Sequence, residues 1–180
     1  MLIQNDASWA LFWFNCILYT VLVVFRAWVD LLIPDRFLRP NGWWFRTRDW
    51  EHDGEWYREE LRIDRWKDKL PTLRTAARFS KKRLTDASRR YFNRFITETC
   101  RAESNHLRAI GSVVLMRLWT PLDLWLVCLL AAVVGNVPFI MIQRYNRPRL
   151  IRALERLERR ELAAAAAADE ADPELRPATA

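Results

Sequence analysis

Glycine, cysteine and histidine are all scarce in this chain. Its 180 residues include four glycines, three cysteines and two histidines. The cysteines show no spacing typical of a disulfide framework or a zinc site. A di-iron site in a helical bundle would need a second Glu-x-x-His motif beside that of Glu103 and His106, and His52 is the only other histidine. We therefore expect reduced thiols and no bound metal.

The chain also lacks a segregated basic stripe, although its net charge is +7. Acidic residues are interleaved with the arginines and lysines through residues 46 to 69, and no RNP-like motif is present. We therefore expect no nucleic-acid partner. The 51% of residues that are hydrophobic are concentrated toward the two ends of the chain, with a charged block between them. This distribution is typical of a membrane protein with a sizeable polar segment.

The first apolar run covers residues 9 to 33, which exceeds the roughly 20 residues needed to cross a hydrocarbon core. No basic segment precedes it and no small-residue cleavage site follows, which argues against a cleaved signal peptide. Asn15, Arg26 and Asp30 interrupt the run. Arg26 and Asp30 lie near its end, where long side chains can snorkel, whereas Asn15 lies deeper and is expected to face another helix.

A charged block follows at residues 36 to 104 and contains 18 Lys or Arg. It has few glycines and prolines, which predicts a mostly helical segment. Within it, GEWYREELRIDRWKDKL places aromatic and aliphatic residues among charges, as an amphipathic surface element would. A second helix is expected to be capped by Thr85 or Asp86.

The second apolar region, residues 107 to 142, is too long for one ordinary span. The segment TPLD divides it, because its Thr, Pro and Asp suit the N-cap, the first position and the third position of a new helix. We predict a short tilted or re-entrant helix at 107–119 and a span at 121–142. Seven more Lys or Arg follow at residues 144 to 160, so a hairpin would keep both basic segments cytoplasmic.

The predicted fold is thus an all-α integral membrane protein. It has one N-terminal transmembrane helix, a helical amphipathic cytoplasmic segment, and a C-terminal transmembrane hairpin or re-entrant pair. We expect a single domain at 1–161, with spans at about 9–33, 107–119 and 121–142. An Ala-rich and then acidic tail, predicted to be disordered, follows at 162–180. The expected location is the cell membrane, multi-pass, with the N-terminus outside and the polar segments cytoplasmic.

Ionisable residues cluster in ETCRAESNH, residues 98–106, just before the second apolar region. Glu103 and His106 are three apart and can meet on a helix, so Glu103 could orient His106 as a general base. Arg101 is close enough to pair with Glu98, which a carboxylate entering a low dielectric requires. The alternative interpretation is a solvated helix face whose charges happen to precede a span.

Three arginines, Arg144, Arg147 and Arg149, cluster in QRYNRPRL at the end of the last span. Such a cluster could hold headgroups or the phosphates of an acyl carrier such as coenzyme A. The alternative is a simple stop-transfer anchor. Asn136 and Pro138 inside the span add polarity and a kink, which often mark a cavity, although close helix packing would explain them equally.

Four segments in order, IPDRF, RWKDKLP, ETCRAESNH and GNVPFIMIQRYNRPRL, resemble the glycosyl-4,4'-diaponeurosporenoate acyltransferase (CrtO) family. The resemblance runs from about residue 33 to 160, and the ordered series is more specific than any one motif. The chain departs from the family in its Ala-rich acidic tail and its many Trp and Arg. Matching positions are Glu98, Arg101, Ala102, Glu103 and His106, then Asn136, Pro138, Gln143, Arg144, Tyr145, Asn146, Arg147, Pro148, Arg149 and Leu150, and more weakly Gly54, Tyr57, Trp66 and Lys67.

The resemblance implies an acyltransferase that esterifies a sugar hydroxyl of a glycosylated terpenoid, or of a related glycolipid, with a fatty acyl group. Its expected partners are the bilayer and the lipid or terpenoid glycoside. No bound cofactor is expected, and the donor would be acyl-CoA or another acyl carrier. The expected catalytic residues are His106, Glu103 and Glu98, with Asn136 or Tyr145 stabilising the oxyanion. Substrate binding is expected from Arg101, Asn136, Gln143, Arg144, Tyr145, Asn146, Arg147, Arg149, Trp66 and Lys67.

Two alternatives remain open at this point. The first is a non-enzymatic small membrane subunit that binds a lipid or a partner protein through the same motifs. The second is an isoprenoid-modifying methyltransferase.

Overall fold

A computed structural model describes residues 6–70 and 88–171, and within these ranges the chain is helical with no strand. The all-α prediction is confirmed for them. The four α-helices are α1 (Asp6–Leu32), α2 (Glu55–Glu59), α3 (Arg89–Leu115) and α4 (Leu122–Ala171). Short 3-10 turns lie at Asp35–Phe37, Asp49–Gly54, Ile63–Arg65, Lys67–Lys69 and Met116–Leu118.

Two of these helices are long and apolar enough to cross a membrane, judged by length and composition. The candidate segments are Ser8–Asp30 in α1 and Leu122–Asp169 in α4. Large apolar side chains of α1, among them Trp13, Ile17 and Trp28, face outward rather than into the protein. Such an apolar exterior fits membrane association.

Helices α3 and α4 form an antiparallel hairpin, and α1 packs against α3. The turn at Met116–Leu118 joins the two long helices, so the division at TPLD is confirmed. The prediction of a separate helix at 107–119 is wrong, because α3 runs without a break from Arg89 to Leu115. The change from charged to apolar composition at residue 107 does not interrupt the backbone.

Interhelical hydrogen bonds fix the end of the bundle where α3 turns into α4. Asn15 of α1 is buried and its amide nitrogen donates to the hydroxyl of Thr120, at 3.1 Å. The indole nitrogen of Trp119 donates to the side-chain oxygen Oδ1 of Asn15, at 3.0 Å. Asn15 is thus buried against the protein, but its partners lie in the connection between α3 and α4 and not, as predicted, in another helix.

The described part of the charged block is not mostly helical, which corrects the sequence prediction. Residues 35–70 form short turns and the single short helix α2. His52, Asp53 and Arg62 have positive φ angles, which stop a helix from continuing. The proposed caps Thr85 and Asp86 lie outside the described residues, and α3 is capped by Ser88, whose side chain accepts from the Tyr91 amide.

This irregular segment packs against α4 rather than forming a continuous amphipathic helix. Tyr57 and Ile63 are buried against Tyr145, and five partly buried side chains flank them, two of which, Met141 and Ile142, belong to α4. The flanking side chains from the charged block are Trp56, Leu61 and Trp66. Aromatic and aliphatic residues that looked like a surface stripe in the sequence are in fact a small core beside α4.

Helix α4 extends for 50 residues and continues through Pro138 and Pro148. It ends at Ala171, so the prediction of disorder from residue 162 is wrong for residues 162–171. The physical reason is that alanine, which dominates this stretch, has the highest helix propensity. Residues 172–180 lie outside the described residues.

Candidate functional site

Four charged side chains from three parts of the chain form a buried ion-pair cluster, consisting of Glu51, Glu103, Arg144 and Arg147. Both carboxylate residues are only 1% exposed and Arg147 is 2% exposed. Arg144 joins the two carboxylates, with its Nε 2.5 Å from Glu51 Oε1 and its Nη1 2.7 Å from Glu103 Oε1. Charges taken out of water need this kind of complete pairing to be tolerated.

Arg147 completes the cluster on the side of α3. Its Nη2 pairs with Glu103, its Nε donates to the Thr99 hydroxyl at 3.0 Å, and its Nη1 donates to the Phe45 carbonyl at 2.6 Å. The guanidinium also lies over the Phe45 ring, 5.4 Å from its centroid. Arg147 therefore ties α4 both to α3 and to the segment before α2.

Glu51 is the acceptor that anchors the loop segment. Its carboxylate accepts from the Tyr57 hydroxyl and from the Arg48 amide, both at 2.5 Å, in addition to Arg144. Burial alone would raise the pKa of Glu51, but these hydrogen bonds outweigh it and hold that pKa below its ordinary value. Glu51 is thus an ionised structural acceptor.

Three arginines are expected to hold donor phosphates. Two of them have all their guanidinium nitrogens hydrogen-bonded to other groups of the protein. Each guanidinium nitrogen of Arg144 and Arg147 already donates to a carboxylate, a hydroxyl or a carbonyl. The expectation that these two bind phosphate is corrected on this ground. Arg149 is exposed, and its guanidinium lies 4.7 Å from the centroid of the Tyr145 ring.

A second polar group lies deeper in the bundle and is centred on His106. The Nδ1 of His106 is 2.9 Å from Oδ1 of Asn136, and its ring stacks on Phe139 at 4.9 Å with an interplanar angle of 8°. The amide nitrogen of Asn136 donates to the Ala132 carbonyl at 2.7 Å and to the Tyr19 hydroxyl at 3.1 Å. We call His106, Asn136 and Tyr19 the polar chain.

The hydrogen bonds of Asn136 determine the tautomer of His106. Because the Asn136 amide nitrogen points at a carbonyl, its oxygen faces His106, so Nδ1 must carry the proton and donate it. The Nε2 then has the free lone pair, and no described residue hydrogen-bonds to it. Burial lowers the pKa of His106 below its ordinary value, although the hydrogen bond with Asn136 acts in the opposite direction. The neutral imidazole that results is a base.

Glu103 does not orient His106, contrary to the sequence prediction. The two residues are one turn apart on α3, but Glu103 turns toward Arg144 and Arg147 while His106 turns toward Asn136. The suggested role of Asn136 in stabilising an oxyanion is corrected too, since its amide protons are used by Ala132 and Tyr19.

Glu98 and Arg101 do pair, with 3.6 Å between Nε and the carboxylate, as predicted. Arg101 mainly binds the end of α1, since it donates to the backbone carbonyls of Asp30 and Ile33 and to the side chain of Asp35. Its position supports a structural function, the joining of α1 to α3. Glu98 is half exposed at the edge of this junction.

The remaining predicted residues make their contacts with groups other than His106. Tyr145 is buried in the small core with Tyr57, where its ring is not placed to stabilise an oxyanion beside His106. Trp66 donates to the Leu61 carbonyl at 2.9 Å, and Lys67 pairs with Asp68 at 2.7 Å. Gln143 and Asn146 are half buried on α4. Within the described ranges, no group of three or more His, Cys, Asp or Glu could hold a metal ion.

Sequence reasoning missed Glu51 and Tyr19, and it misjudged Arg26, whose side chain was expected to snorkel. Glu51 is 93 positions from Arg144, and nothing local in the sequence indicates that pairing. Tyr19 has no signal beyond its place in an apolar run. Arg26 did carry a signal, because an arginine inside a span is a functional candidate by default, and the structure shows it buried rather than snorkelling.

The fold and the site are those of a helical protein with two membrane-compatible helices and a half-buried, neutral histidine that hydrogen-bonds to one of them. Comparison with known proteins places it in the class of the acyltransferases. The chain belongs to the glycosyl-4,4'-diaponeurosporenoate acyltransferase (CrtO) family, whose model matches residues 41–156. The matched segment contains the whole buried ion-pair cluster together with His106 and Asn136.

Curated relatives agree with this assignment. Proteins named glycosyl-4,4'-diaponeurosporenoate acyltransferase from Staphylococcus aureus strains RF122 / ET3-1 and MRSA252 are each 29% identical over 150 residues. The matches cover 82% of this chain and 90% of each relative. No solved structure matches. The non-enzymatic subunit and the methyltransferase are not supported, because the family and the relatives are acyltransferases.

Proposed function

We propose that this chain transfers a fatty acyl group to a hydroxyl of a glycosylated terpenoid, or of a related glycolipid, within the cell membrane. The observation that carries the proposal is the hydrogen bond from His106 Nδ1 to Asn136, which leaves Nε2 as a free base between apolar helices. The relatives are named for a glycosyl-diaponeurosporenoate, a lipid glycoside, and such an acceptor suits a site set among apolar helices.

The chemistry begins with the acceptor hydroxyl at Nε2 of His106. The imidazole takes the hydroxyl proton while the oxygen attacks the carbonyl carbon of an acyl thioester. As the new C–O bond forms, the carbonyl π electrons move onto the carbonyl oxygen. When they return to restore the carbonyl, the C–S bond breaks. The proton on Nε2 then passes to the departing thiolate, so the base is regenerated. Asn136 is a positioning residue that fixes the imidazole tautomer.

The buried ion-pair cluster has a supporting part in this proposal. Glu103 is three residues from His106 on α3, and Arg144 is eight residues from Asn136 on α4. Pairing of Glu103 with Arg144 and Arg147 therefore keeps the two helices in the register that brings His106 to Asn136. Arg149, the exposed arginine of the trio, remains the candidate for contact with the phosphates of an acyl carrier.

The membrane location is part of the same proposal. The two apolar helices and their outward-facing side chains support insertion. Trp43 and Trp44 are 63% and 66% exposed on the segment after α1, where tryptophans of a membrane interface would lie. We propose that the chain is multi-pass, with its N-terminus outside and its polar segments in the cytoplasm, where acyl thioesters are found.

Replacement of His106 tests the function directly. Purified protein in lipid nanodiscs would be given a radiolabelled acyl-CoA and a glycosylated terpenoid, and the labelled ester would be counted. We expect His106→Ala to lose ~10²- to 10⁴-fold in rate, the usual contribution of a general base. The matched control is His52→Asn, which replaces the other histidine at a positive φ that asparagine tolerates.

Control and variant must be inserted and folded to the same extent, which size-exclusion profiles and circular dichroism would establish. Full turnover by His106→Ala would refute the general-base assignment. Absence of turnover by the unaltered protein with every acyl thioester and glycoside supplied would refute the proposed reaction.

A further inference from the structure

One face of α1 carries polar side chains into the helical bundle. Asn15, Tyr19 and Arg26 are spaced four and then seven residues apart, so they lie on the same side of the helix. Arg26 donates to the Ser112 hydroxyl of α3 at 2.9 Å, and the Tyr19 hydroxyl lies 3.1 Å from Nδ2 of Asn136 in α4. Polar side chains within an apolar helix are costly unless they have such partners, and they often serve a function.

The ring of Tyr19 is held in place by its neighbours. It packs against the core cluster of Val113 and Met116 from the end of α3 and Ala132 from α4. The guanidinium carbon of Arg26 lies 5.7 Å from the ring centroid, within the range of a cation–π contact. These contacts restrict the ring, so its hydroxyl is a fixed acceptor.

The hydroxyl of Tyr19 binds the second proton of the Asn136 amide. Asn136 is 8% exposed, and its amide nitrogen carries two protons, each of which needs an acceptor when buried. One proton goes to the Ala132 carbonyl at 2.7 Å, a residue one turn earlier on the same helix. The other goes to Tyr19, which is on a different helix. With both protons bound, the oxygen of Asn136 is held toward His106.

The orientation of Asn136 decides whether His106 can act as a base at Nε2. A neutral histidine side chain free in water favours the tautomer with its proton on Nε2, where the nitrogen has no lone pair to accept another proton. In the protein the tautomer is set by the hydrogen bond that the other nitrogen makes, here from Nδ1 to the Asn136 oxygen. A loosened Asn136 amide would let the proton return to Nε2.

We propose that Tyr19 is a positioning residue for acyl transfer, whose hydroxyl oxygen holds the Asn136 amide in the orientation that keeps the His106 proton on Nδ1. The inference rests on the proposed function, in which Nε2 is the base. It gives α1 a part in the reaction besides membrane insertion. The family match begins at residue 41, so this contribution comes from outside the matched segment.

Nitrogen NMR reads the tautomer of His106 without turnover, because protonated and unprotonated imidazole nitrogens differ widely in chemical shift. The chain has two histidines, so protein labelled with ¹⁵N-histidine in a His52→Asn background reports His106 alone. Spectra would be recorded in nanodiscs at about pH 8, where an imidazole is neutral. We expect the proton on Nδ1 in the unaltered protein, and at least a twofold larger share on Nε2 in Tyr19→Phe.

The matched control is Tyr91→Phe, which removes the same atom from a tyrosine near the start of α3 and should leave the tautomer unchanged. A spectrum of Tyr19→Phe identical to that of the unaltered protein would overturn the proposal. So would a lower unfolding temperature of Tyr19→Phe with an unchanged tautomer, because Tyr19 would then have a structural function only.

A double-mutant cycle tests whether Tyr19 acts through Asn136. Once Asn136 is replaced by leucine, the Tyr19 hydroxyl has no amide to hold, so adding Tyr19→Phe to Asn136→Leu should leave the His106 spectrum as it is in Asn136→Leu alone. A change of equal size in both backgrounds would overturn the proposal, because Tyr19 would then affect His106 by another route.

Kinetics tests the same residue in the reaction. We expect Tyr19→Phe to lower kcat by about 2- to 12-fold, the range that one neutral hydrogen bond supplies, with an unchanged KM for the glycoside. An unchanged kcat, or a rise in KM alone, would contradict a positioning role. If the unaltered protein transferred no acyl group, the proposed function would fail, while the spectra would still decide whether Tyr19 sets the tautomer of His106.

Discussion

Glu103 and His106 stand one turn apart on α3, yet their side chains belong to two separate networks. Glu103 binds the guanidinium groups of Arg144 and Arg147, whereas His106 binds the side-chain amide of Asn136. The Glu103 carboxylate therefore helps to hold α3 and α4 together. The neutral amide of Asn136, rather than a carboxylate, sets the tautomer of the His106 imidazole. This difference has consequences for pH dependence and for stability that can be measured separately.

The pH profile of acyl transfer should report the environment of His106. A general base must be neutral, so the rate rises with pH through its pKa and then levels off. Burial lowers the pKa of His106 from 6.5, so we expect the acidic limb below pH 6.5. Asn136→Asp would place a carboxylate at Nδ1, favour the imidazolium and move the limb to higher pH. A limb that Asn136→Asp does not move would contradict the assignment of His106 as the titrating base.

Removal of the Glu103 carboxylate should destabilise the fold. Glu103→Gln leaves Arg144 and Arg147 with one carboxylate fewer, and breaking a buried pair from one side costs about 3–5 kcal/mol. The free energy of unfolding in detergent would measure the loss. The control is Glu158→Gln, a partly exposed residue whose carboxylate is 3.9 Å from Arg89, where we expect less than ~1 kcal/mol.

The double variant Glu103→Gln, Arg147→Met gives a further check on the same cluster. Arg147→Met removes the cation that Glu103→Gln leaves unpaired, so the combined loss should be smaller than the sum of the two single losses. Strict additivity would mean that the two side chains do not interact in solution.

Two glycine substitutions of identical chemistry should have opposite effects on stability. Gly54 has φ +91°, and an added Cβ would lie 3.1 Å from the Tyr145 carbonyl oxygen and 3.2 Å from Pro148 Cγ. Gly54→Ala should therefore destabilise the protein by about 1–3 kcal/mol. Gly111 lies within α3 with nothing within 4 Å of an added Cβ, so Gly111→Ala should stabilise by about 0.5–1 kcal/mol. Effects of the same sign would disagree with the backbone described here.

The hydrogen bonds of Asn15 should hold α1 to the turn between α3 and α4. Asn15→Leu deprives Thr120 of a donor and Trp119 of an acceptor. We expect a loss of about 0.6–2 kcal/mol in lipid or detergent, the range for interhelical polar contacts in membranes. Ile17→Val, on the outward face of α1, is the matched control and should be close to neutral. Equal losses in both variants would argue against a specific contribution from Asn15.

Features that depend on local spacing could be predicted from the sequence. The helical class, the long apolar helix near residues 9–33, the division at TPLD and the pairing of Glu98 with Arg101 all follow from composition or from i, i+3 geometry. The motif residues Glu103 and His106 were identified as well. Each of these statements concerns residues close together in the chain.

Features that depend on a second helix could not be predicted in the same way. A helical wheel shows that Glu103 can reach His106, but it cannot show that Arg144 and Asn136 compete for them from α4. Arg144 lies 93 positions from Glu51, and the nearest partner of Arg147 is 44 positions away, so no local pattern encodes these pairs. The prediction of a separate helix at 107–119 fails because a change in polarity along the sequence does not bend the backbone of α3.

Helix α4 is far longer than a bilayer is thick. Fifty residues at ~1.5 Å each give a rod of about 75 Å, more than twice the ~30 Å thickness of hydrocarbon. With residues 122–142 inserted as proposed, roughly 40 Å of helix projects beyond the headgroups. A fluorophore attached near Ala171 should therefore be quenched weakly by lipid-bound acceptors, and one near Gln143 strongly, which gives a direct optical measure of how the protein is seated.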